Sequence, residues 1–296
     1  MKNHAFLIIA HAYPELLEDI VNLLMASNHY FFINIDKKNK EIWFTDAISR
    51  LQKSKNVFFI EPVRVNHGGF SQVSATLKLL EEAYKSSEKM DYFHLISGQD
   101  YPCVSNTDLD AKFECEEKSY MHFDSPEEII EWRKQKYPSR VNYFNFTDLH
   151  IPFLPYKILK LFNGGLNRVA KIYKRKSILT IYAGWQWFSW HRKVVEYVLT
   201  FVNDNPLYVG RFKNTKLVDE LFFHTMLYDK AEELNIEKYN ALRYIEWYPK
   251  REAETLPVIL DEREYDDIVS SAVIFCRKIH PSISIKLIDL LRKKLF

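Results

Sequence analysis

Two segments of the sequence contain carboxylates at positions where they could take part in binding or catalysis. Asp100 follows the apolar run Tyr92–Ile96 and a glycine, so it should lie at the carboxyl end of a strand, where open α/β sheets bind ligands. Asp219 and Glu220 precede large apolar side chains, which could desolvate a carboxylate and raise its pKa towards that of a general base. The two patterns indicate a positioning group and a candidate base.

Each of these carboxylates also has a purely structural interpretation. Asp100 could cap its own turn, and the helix dipole favours acidic residues such as Asp219 and Glu220 in a first turn. A metal site at Asp100 would need a second carboxylate two positions earlier, but residue 98 is glycine. Because a single carboxylate makes a poor magnesium site, we expect no metal at this strand end.

Cationic and aromatic side chains could complete a site for a charged ligand. Arg243 and the pair Arg277-Lys278 fall in short apolar segments, which would hold their charges near the sheet. Fixed cations are what a departing diphosphate needs when no metal is present. Trp185 and Trp187 could form a wall on which a sugar ring stacks. Solvated surface charges and ordinary core aromatics remain the alternatives.

Two other signals are weaker. Asn66–Gly69 precedes a predicted helix and could present backbone N–H groups to an anion. Its two adjacent glycines do not distinguish this from a plain loop, which is the simpler interpretation. Isolated histidines such as His11, His94 and His224 are interpreted as structural, and we assign them no chemistry.

Strand and helix signals alternate along the first hundred residues. Short apolar runs predict strands, and apolar residues at helical spacing lie between them. Because each crossover returns the chain to the same edge, this alternation predicts a mostly parallel, doubly wound α/β sheet flanked by helices. The predicted strands are Ala5–Ala10, Tyr30–Ile35, Asn56–Ile60 and Tyr92–Ile96, with helices beginning near Pro14, Ile42 and Ser71. Pro102 should end pairing after the fourth strand.

The second part of the chain carries mixed signals and predicts an α+β C-terminal extension. We expect a single domain over residues 1–296, with one part at 1–118 and a second at 119–296. The predicted elements of the second part are strands at Ser119–Phe123 and Val141–Phe146, a helix beginning near Pro126, a basic amphipathic stretch at Pro155–Arg175 and a final helix at Ile283–Leu295.

Composition excludes several classes of protein. A chain of 296 residues that is 47% hydrophobic and 27% charged is typical of a soluble globular protein. The formal net charge of +2 predicts no particular partner, and we expect no nucleic-acid partner. Cys103, Cys115 and Cys276 lack metal-like spacing, which argues against a disulfide framework or a cysteine zinc site and favours a reducing compartment. No window reaches transmembrane length.

Eight blocks together resemble one family, the core-2/I-branching β-1,6-N-acetylglucosaminyltransferases and their peptide-O-xylosyltransferase relatives. No single block would suffice, but together they span nearly the whole chain in the family's order. The blocks are Ile8–Ala12, Asn34–Lys38, Asn66–Ser71, Leu95–Pro102, Gly184–Trp187, Asp219–Phe223, Arg243–Trp247 and Phe275–Lys278.

The resemblance implies a GT-A-like nucleotide-sugar-binding fold without the usual metal-binding Asp-x-Asp pair. Residues 1–118 would bind the nucleotide, and residues 119–296 would bind the acceptor and carry the catalytic group. Glu220 resembles the catalytic base, Arg243 and Lys278 the cations that hold the donor diphosphate, and Asp36 a uridine contact.

Three further residues match motif positions in this family. Asp100 is expected on the donor side, and Trp185 and Trp187 are expected on the acceptor side. The resemblance implies no cofactor and no metal.

The expected function is an inverting, metal-independent transfer of N-acetylglucosamine or xylose from a UDP-sugar to a glycan or glycolipid hydroxyl. One carboxylate suffices, because a diphosphate leaves as a stabilised anion whereas glycosidases need a second carboxyl group. The alternative is a non-catalytic carbohydrate- or nucleotide-binding protein on the same fold.

The chain departs from the animal members of this family in ways that bear on its compartment. It shows no membrane anchor, stem or dense cysteine set. We therefore expect a bacterial enzyme of polysaccharide biosynthesis, either free in the cytoplasm or peripheral at the inner membrane face. The basic segments 157–176 and 286–294 would make that contact.

Overall fold

A seven-stranded sheet forms the centre of the computed structural model, which describes residues 1–39, 44–115, 117–125, 127, 140–151, 156–170, 172, 175, 180–247 and 255–295. Its strands are β1 (His4–Ala10), β2 (His29–Ile35), β3 (Val57–Phe59), β4 (Tyr92–Ser97), β6 (Ser119–Phe123), β7 (Gly184–His191) and β8 (Ile236–Glu237). The spatial order is β3-β2-β1-β4-β7-β6-β8. Strands β5 (Tyr101–Pro102), β9 (Arg243–Ile245) and β10 (Phe275–Arg277) form a smaller sheet in the order β5-β10-β9.

The central sheet is mostly parallel. β1 pairs in parallel with β2 and β4, and β2 pairs in parallel with β3. β7 runs antiparallel to both β4 and β6, so it begins near the edge where β4 ends. The α/β class with a mostly parallel sheet is confirmed. Strands from both predicted parts share this one sheet, and a functional division near residue 118 stays a prediction.

Helices cover both faces of the sheet. They are α1 (Pro14–Leu23), α2 (Thr45–Leu51), α3 (Phe70–Tyr84), α4 (Asn106–Glu114), α5 (Tyr156–Ala170), α6 (Arg192–Asp204), α7 (Pro206–Phe212), α8 (Phe222–Leu227), α9 (Tyr265–Ser270) and α10 (Ile285–Leu295). Among the described residues, no helix combines the length and apolar character needed to cross a membrane.

β1 shows why the sheet is buried on both sides. All seven of its residues are buried, and successive side chains point to opposite faces. Leu7 and Ile9 join one core with α3 and α6, whereas Phe6 and Ile8 join a second core with α1, α4 and α10. A strand without a polar face requires helices on both sides.

Several sequence predictions need correction. The strand predicted at Val141–Phe146 is wrong: residues 142–146 form no strand, because their backbone groups pair with loops. Asn142 O accepts from Arg175 N at 2.7 Å, and Asn145 N donates to Asn214 O at 2.8 Å. The helix predicted near Pro126 falls mostly on residues outside the described ranges.

Three smaller corrections concern strand and helix ends. Pro102 does not end pairing, because it lies in β5 opposite Phe275 of β10. An edge strand such as β5 tolerates a proline because its outer side pairs with no other described strand and needs no N–H donor. Helix α3 begins at Phe70, with Gly69 at the N-cap instead of Ser71. Asp219 and Glu220 lie in a 3-10 turn, Val218–Glu220, and α8 follows it from Phe222.

Candidate active site

The carboxyl ends of β1, β2 and β4 meet at one edge of the central sheet, where Asp36 follows β2. Its backbone N–H donates to Ala10 O at 2.9 Å. Its Oδ1 accepts from the backbone N–H groups of Lys38 at 2.9 Å and Val65 at 3.2 Å, and its Oδ2 pairs with Lys38 Nζ at 3.4 Å. Asp36 therefore fixes the loops that border this edge, and its contact with a uridine stays a prediction.

Asp100 caps its own turn and also holds a cation. Its Oδ2 accepts from the Ser97 backbone N–H at 2.8 Å, and its Oδ1 accepts from Arg277 Nη1 at 2.8 Å. The side chain is fully buried. Burial raises the pKa of Asp100, and the Arg277 guanidinium partly offsets that rise. Asp100 thus positions Arg277 instead of facing the open edge.

Arg277 and Lys278 place two cations at the same edge. The Arg277 guanidinium lies 4.0 Å from the centroid of the Trp187 ring, a cation–π geometry. Burial, followed by the Arg277 charge, lowers the pKa of the half-buried Lys278. Burial and then Lys278 lower the pKa of His11, whereas Asp36 raises it. Lys278 and Asp36 therefore both lie close enough to His11 to shift its pKa.

Arg243 lies deeper, beneath this edge. Its Nη1 donates to Ser189 Oγ at 3.0 Å and Ala241 O at 2.7 Å. Its Nη2 donates to Phe188 O at 2.7 Å and Leu95 O at 3.2 Å. The residue is only 5% exposed, and burial lowers its pKa to about 9. Arg243 joins β4, β7 and β9 through its two Nη atoms, whereas its buried Nε has no hydrogen-bond partner among the described residues.

Glu220 and Asp219 are neighbours in different surroundings. The Glu220 side chain is 33% exposed and accepts from Arg140 Nη1 at 2.6 Å. Asp219 is buried; its Oδ2 accepts from Gln72 Nε2 at 3.3 Å, and its Oδ1 has no hydrogen-bond partner among the described residues. Burial, followed by the Glu220 charge, raises the pKa of Asp219 to about 7. The sequence predicted that one of these two carboxylates could be desolvated, and the structure shows that it is Asp219; sequence reasoning missed Arg140.

The start of β7 lies between the carboxylates and the cations. Gln186 is 3.5 Å from Gln72 Nε2, which also contacts Asp219. The guanidinium of Arg277 stacks on the ring of the next residue, Trp187. The sequence prediction paired Trp187 with the acceptor, whereas its ring contact is with the cationic group. Trp185 stacks on His122 with ring centroids 4.2 Å apart, and its acceptor role stays a prediction.

The N-terminus of α3 holds an anion, and that anion is a side chain of the protein. Asp148 Oδ2 accepts from the Ser71 backbone N–H at 2.8 Å. Asp148 Oδ1 accepts from Ser71 Oγ at 2.7 Å and from Asn66 Nδ2 at 3.0 Å. A Cβ on Gly69 would come within 2.3 Å of this carboxylate. The predicted anion site of Asn66–Gly69 is therefore filled internally.

The described residues contain a cluster of potential metal ligands, and it does not lie at this edge. Among the described residues, the group of at least three His, Cys, Asp or Glu side chains within metal-binding distance is His4, His29 and Asp110. His4 and His29 open β1 and β2, so this group lies at the opposite edge of the sheet. The carboxyl edge instead offers fixed cations and a partly exposed carboxylate, which suit acid–base chemistry next to a phosphate group.

Comparison with known proteins gives one strong match. No curated protein matches the chain. A solved structure, a putative glucose-1-phosphate thymidylyltransferase from Bacillus anthracis in complex with a sucrose, matches at 14% identity with a TM-score of 0.34, covering 81% of this chain and 86% of that chain. A structural similarity this weak supports no conclusion about the fold or function of this chain. The model of the Core-2/I-Branching enzyme family matches residues 4–268. The chain therefore belongs to the Core-2/I-branching enzyme family, whose members are glycosyltransferases.

Proposed function

We propose that this chain is an inverting, metal-independent glycosyltransferase that moves N-acetylglucosamine or xylose from a UDP-sugar to an acceptor hydroxyl and forms a β-linkage. Its family membership supports glycosyl transfer. The observation that supports the mechanism is that two adjacent residues at one strand end connect the two groups: Gln186 contacts Gln72, which donates to Asp219, and Trp187 stacks on Arg277.

Glu220 is the proposed general base. Its carboxylate is partly exposed, so an acceptor hydroxyl can reach it. The carboxylate takes the hydroxyl proton while the hydroxyl oxygen attacks the anomeric carbon from the face opposite the diphosphate. The bond between the anomeric carbon and the phosphate oxygen breaks, and UDP leaves with the electron pair. Arg140, 2.6 Å away, holds the carboxylate in place before the acceptor binds.

Lys278 and Arg277 are the proposed partners of the departing diphosphate. Arg277 is held at the carboxyl edge by its ion pair with Asp100 and its stacking on Trp187, and Lys278 is the next residue in the chain. A cation that is already fixed stabilises developing charge without reorganising. Arg243, which the family resemblance also assigns to the diphosphate, supports this edge from beneath through its four protein partners.

The proposed acceptor is a glycan or glycolipid, and the proposed location is the cytoplasmic face of a membrane. Segment 157–176 contains seven Lys or Arg and no Asp or Glu. Its helix α5 exposes Ile158 by 51%, Leu161 by 77% and Phe162 by 47%. Exposed apolar side chains among basic residues are typical of helices that lie on an anionic lipid surface.

A donor screen tests the activity. The full chain is incubated with UDP-sugars and a panel of acceptors, and released UDP and glycosylated products are measured by mass spectrometry. We expect turnover with UDP-N-acetylglucosamine or UDP-xylose. UDP binding without any transfer across the panel would support the alternative, a non-catalytic binding protein.

Calorimetric titration with UDP in EDTA tests the claim that the donor site needs no metal. We expect binding in EDTA with an affinity that added manganese leaves unchanged. Binding that appears only with manganese would refute the metal-free mechanism.

A further inference from the structure

A second polar cluster is buried at the edge of the central sheet opposite the candidate active site. His4 Nε2, His29 Nε2 and one carboxylate oxygen of Asp110 lie within 4.8 Å of one another. His4 and His29 are fully buried, and Asp110, on α4, is 20% exposed. β1 separates this cluster from the carboxyl edge by roughly 20 Å, the length of a seven-residue strand.

The hydrogen bonds of His29 leave a lone pair that faces a carboxylate. His29 Nδ1 lies 2.6 Å from Leu24 O; a carbonyl oxygen only accepts, so Nδ1 carries the proton. In a neutral imidazole the other nitrogen, Nε2, then presents a lone pair. That nitrogen lies 2.9 Å from Asp110 Oδ1, which also presents lone pairs. A cation, either a proton or a metal ion, must lie between these two acceptors.

His4 supplies an independent indication of a ligand at this point. Its Nε2 is fully buried and has no hydrogen-bond partner among the described residues. It lies 3.4 Å from the same Asp110 oxygen, outside hydrogen-bond geometry. His4 Nδ1 is occupied elsewhere, 3.0 Å from His94 Nε2. A buried, unpartnered imidazole nitrogen is costly to a fold, but it is what a metal ligand requires.

We propose that His4 Nε2, His29 Nε2 and Asp110 Oδ1 bind a divalent transition metal of the zinc class. Two imidazoles and one carboxylate form a ligand set that such ions use, with water at the fourth position. Tetrahedral bonds of about 2.1 Å separate neighbouring ligand atoms by roughly 3.4 Å. The distance from His4 Nε2 to Asp110 Oδ1 is 3.4 Å and already has this value. The distance from His29 to Asp110 must widen by roughly 0.5 Å, and the partly exposed Asp110 side chain can turn to allow this.

The surrounding contacts are those of a metal site. Ligating histidines usually use their second ring nitrogen on a carbonyl or another polar group, which fixes the ring. Here Leu24 O holds His29 and His94 holds His4. Asn28 Nδ2 donates to Asp110 Oδ1 at 3.0 Å. The ion would tie the starts of β1 and β2 to α4, which makes it structural and separate from the metal-free donor site.

Zinc titration of the chelator-treated full chain tests this site. We expect calorimetry to show about one equivalent of Zn²⁺ bound, with Co²⁺ giving the visible absorption of tetrahedral coordination. Asp110→Asn and His29→Gln should each weaken zinc binding by at least about tenfold. Zinc should raise the Tm of the wild-type chain but not of Asp110→Asn. His150→Gln, at an exposed histidine, is the matched control and should bind zinc like the wild type.

Three results would overturn the proposal: a wild-type chain that binds no zinc, an Asp110→Asn chain that binds it with wild-type affinity, or a His150→Gln chain that loses it. If His29→Gln fails to fold, the surface-accessible Asp110→Asn variant and the cobalt spectrum of the wild-type chain still test whether this site binds a metal. Asp110→Asn should also bind UDP in EDTA like the wild type, which keeps this test separate from that of the proposed function.

Discussion

At the residue scale, the chemistry depends on the contrast between Asp219 and Glu220. They are adjacent in the chain, yet Asp219 is buried beside Gln72 whereas Glu220 is partly exposed beside Arg140. Burial and the Glu220 charge raise the pKa of Asp219. We assign proton transfer from the acceptor to Glu220 because its carboxylate is partly exposed and an acceptor hydroxyl can reach it, whereas Asp219 is buried.

Replacing Glu220 by Gln tests the base. The amide keeps the size of the side chain but cannot accept the acceptor proton, so kcat should fall by at least about 100-fold. UDP affinity, measured by calorimetry, should stay within about twofold of wild type because the diphosphate contacts lie elsewhere. Glu82→Gln, on the exposed face of α3, should leave both unchanged. A fully active Glu220→Gln chain would place the base elsewhere.

Substitutions of Lys278 and of Arg243 are expected to have different effects. Lys278→Met should weaken UDP binding by at least about tenfold with little change in the free energy of unfolding. Arg243→Met leaves four protein oxygens without their donor, so unfolding in urea should show a loss of about 3 kcal/mol or more. Lys89→Met, at an exposed lysine, is the control. Weakened UDP binding at unchanged stability in Arg243→Met would instead make Arg243 a donor contact.

Asp219 should also affect how stability depends on pH. Its pKa is raised from 3.8 to about 7 in the folded chain, so the folded chain keeps a proton that the unfolded chain loses above about pH 4. Its contribution to the free energy of unfolding therefore falls as pH rises from about 4 to about 7, by on the order of 4 kcal/mol at most.

Asp219→Asn tests this dependence because it removes the titration. Relative to wild type, the variant should gain stability across the same pH window and show no further gain above it. Urea unfolding at about pH 5, 6 and 8 measures the difference. Asp289→Asn, at an exposed aspartate, should show no such trend, and a pH-independent difference for Asp219→Asn would contradict the burial argument.

At the element scale, β7 and α3 set the geometry of the site. β7 can begin close to β6 because Gly184 has no side chain: a Cβ there would lie 2.0 Å from His122 O. Helix α3 is held at its N-terminus by Asp148, 77 positions away from Ser71. Gln72, in the first turn of α3, contacts both Gln186 and Asp219. The position of α3 therefore determines where the carboxylates lie relative to β7.

Removing the Asp148 carboxylate should loosen α3 at its first turn. Asp148→Ala loses the bonds from the Ser71 backbone, the Ser71 hydroxyl and Asn66. We expect a loss of about 1–3 kcal/mol in the free energy of unfolding and faster amide exchange at residues 66–72. Asp289→Ala serves as the control. Unchanged stability and exchange would mean that Asp148 contributes little to holding this helix.

At the scale of the whole molecule, the two edges of the central sheet have different chemistry. The carboxyl edge gathers Arg277, Lys278 and Asp36, whereas the opposite edge gathers His4 and His29 with Asp110. A third surface is formed by α5. Its exposed apolar side chains include Val169 at 55%, and Ile172 beyond its end is 76% exposed. We propose this surface as the site of the lipid contact.

A vesicle-binding measurement tests this surface. Leu161→Glu should lower partitioning onto anionic vesicles by at least about tenfold, because it puts a negative charge on the apolar face. Binding by the wild type should weaken as salt rises. Leu207→Glu is the matched control, since Leu207 on α7 is 89% exposed but lies outside this segment. Equal losses in both variants, or no wild-type binding, would exclude α5 as the contact.

The mostly parallel α/β sheet and the family could be predicted from the sequence, because alternating strand and helix patterns and short motifs are local features of the chain. The position of Asp100 at a strand end could be predicted in this way. Its partner could not be predicted, because Arg277 lies 177 positions further along the chain. The strand predicted at Val141–Phe146 failed for a similar reason, since its pairing partners come from distant loops.

Which polar groups are buried, and what they contact, depends on how the sheet and helices pack. This packing placed Arg243 beneath the carboxyl edge, filled the α3 N-terminus with Asp148, and brought His4 and His29 to Asp110. None of these side chains differs in type from those on a solvated surface. Their chemistry comes from desolvation and from partners remote in sequence, and both arise only when the sheet and its helices pack together.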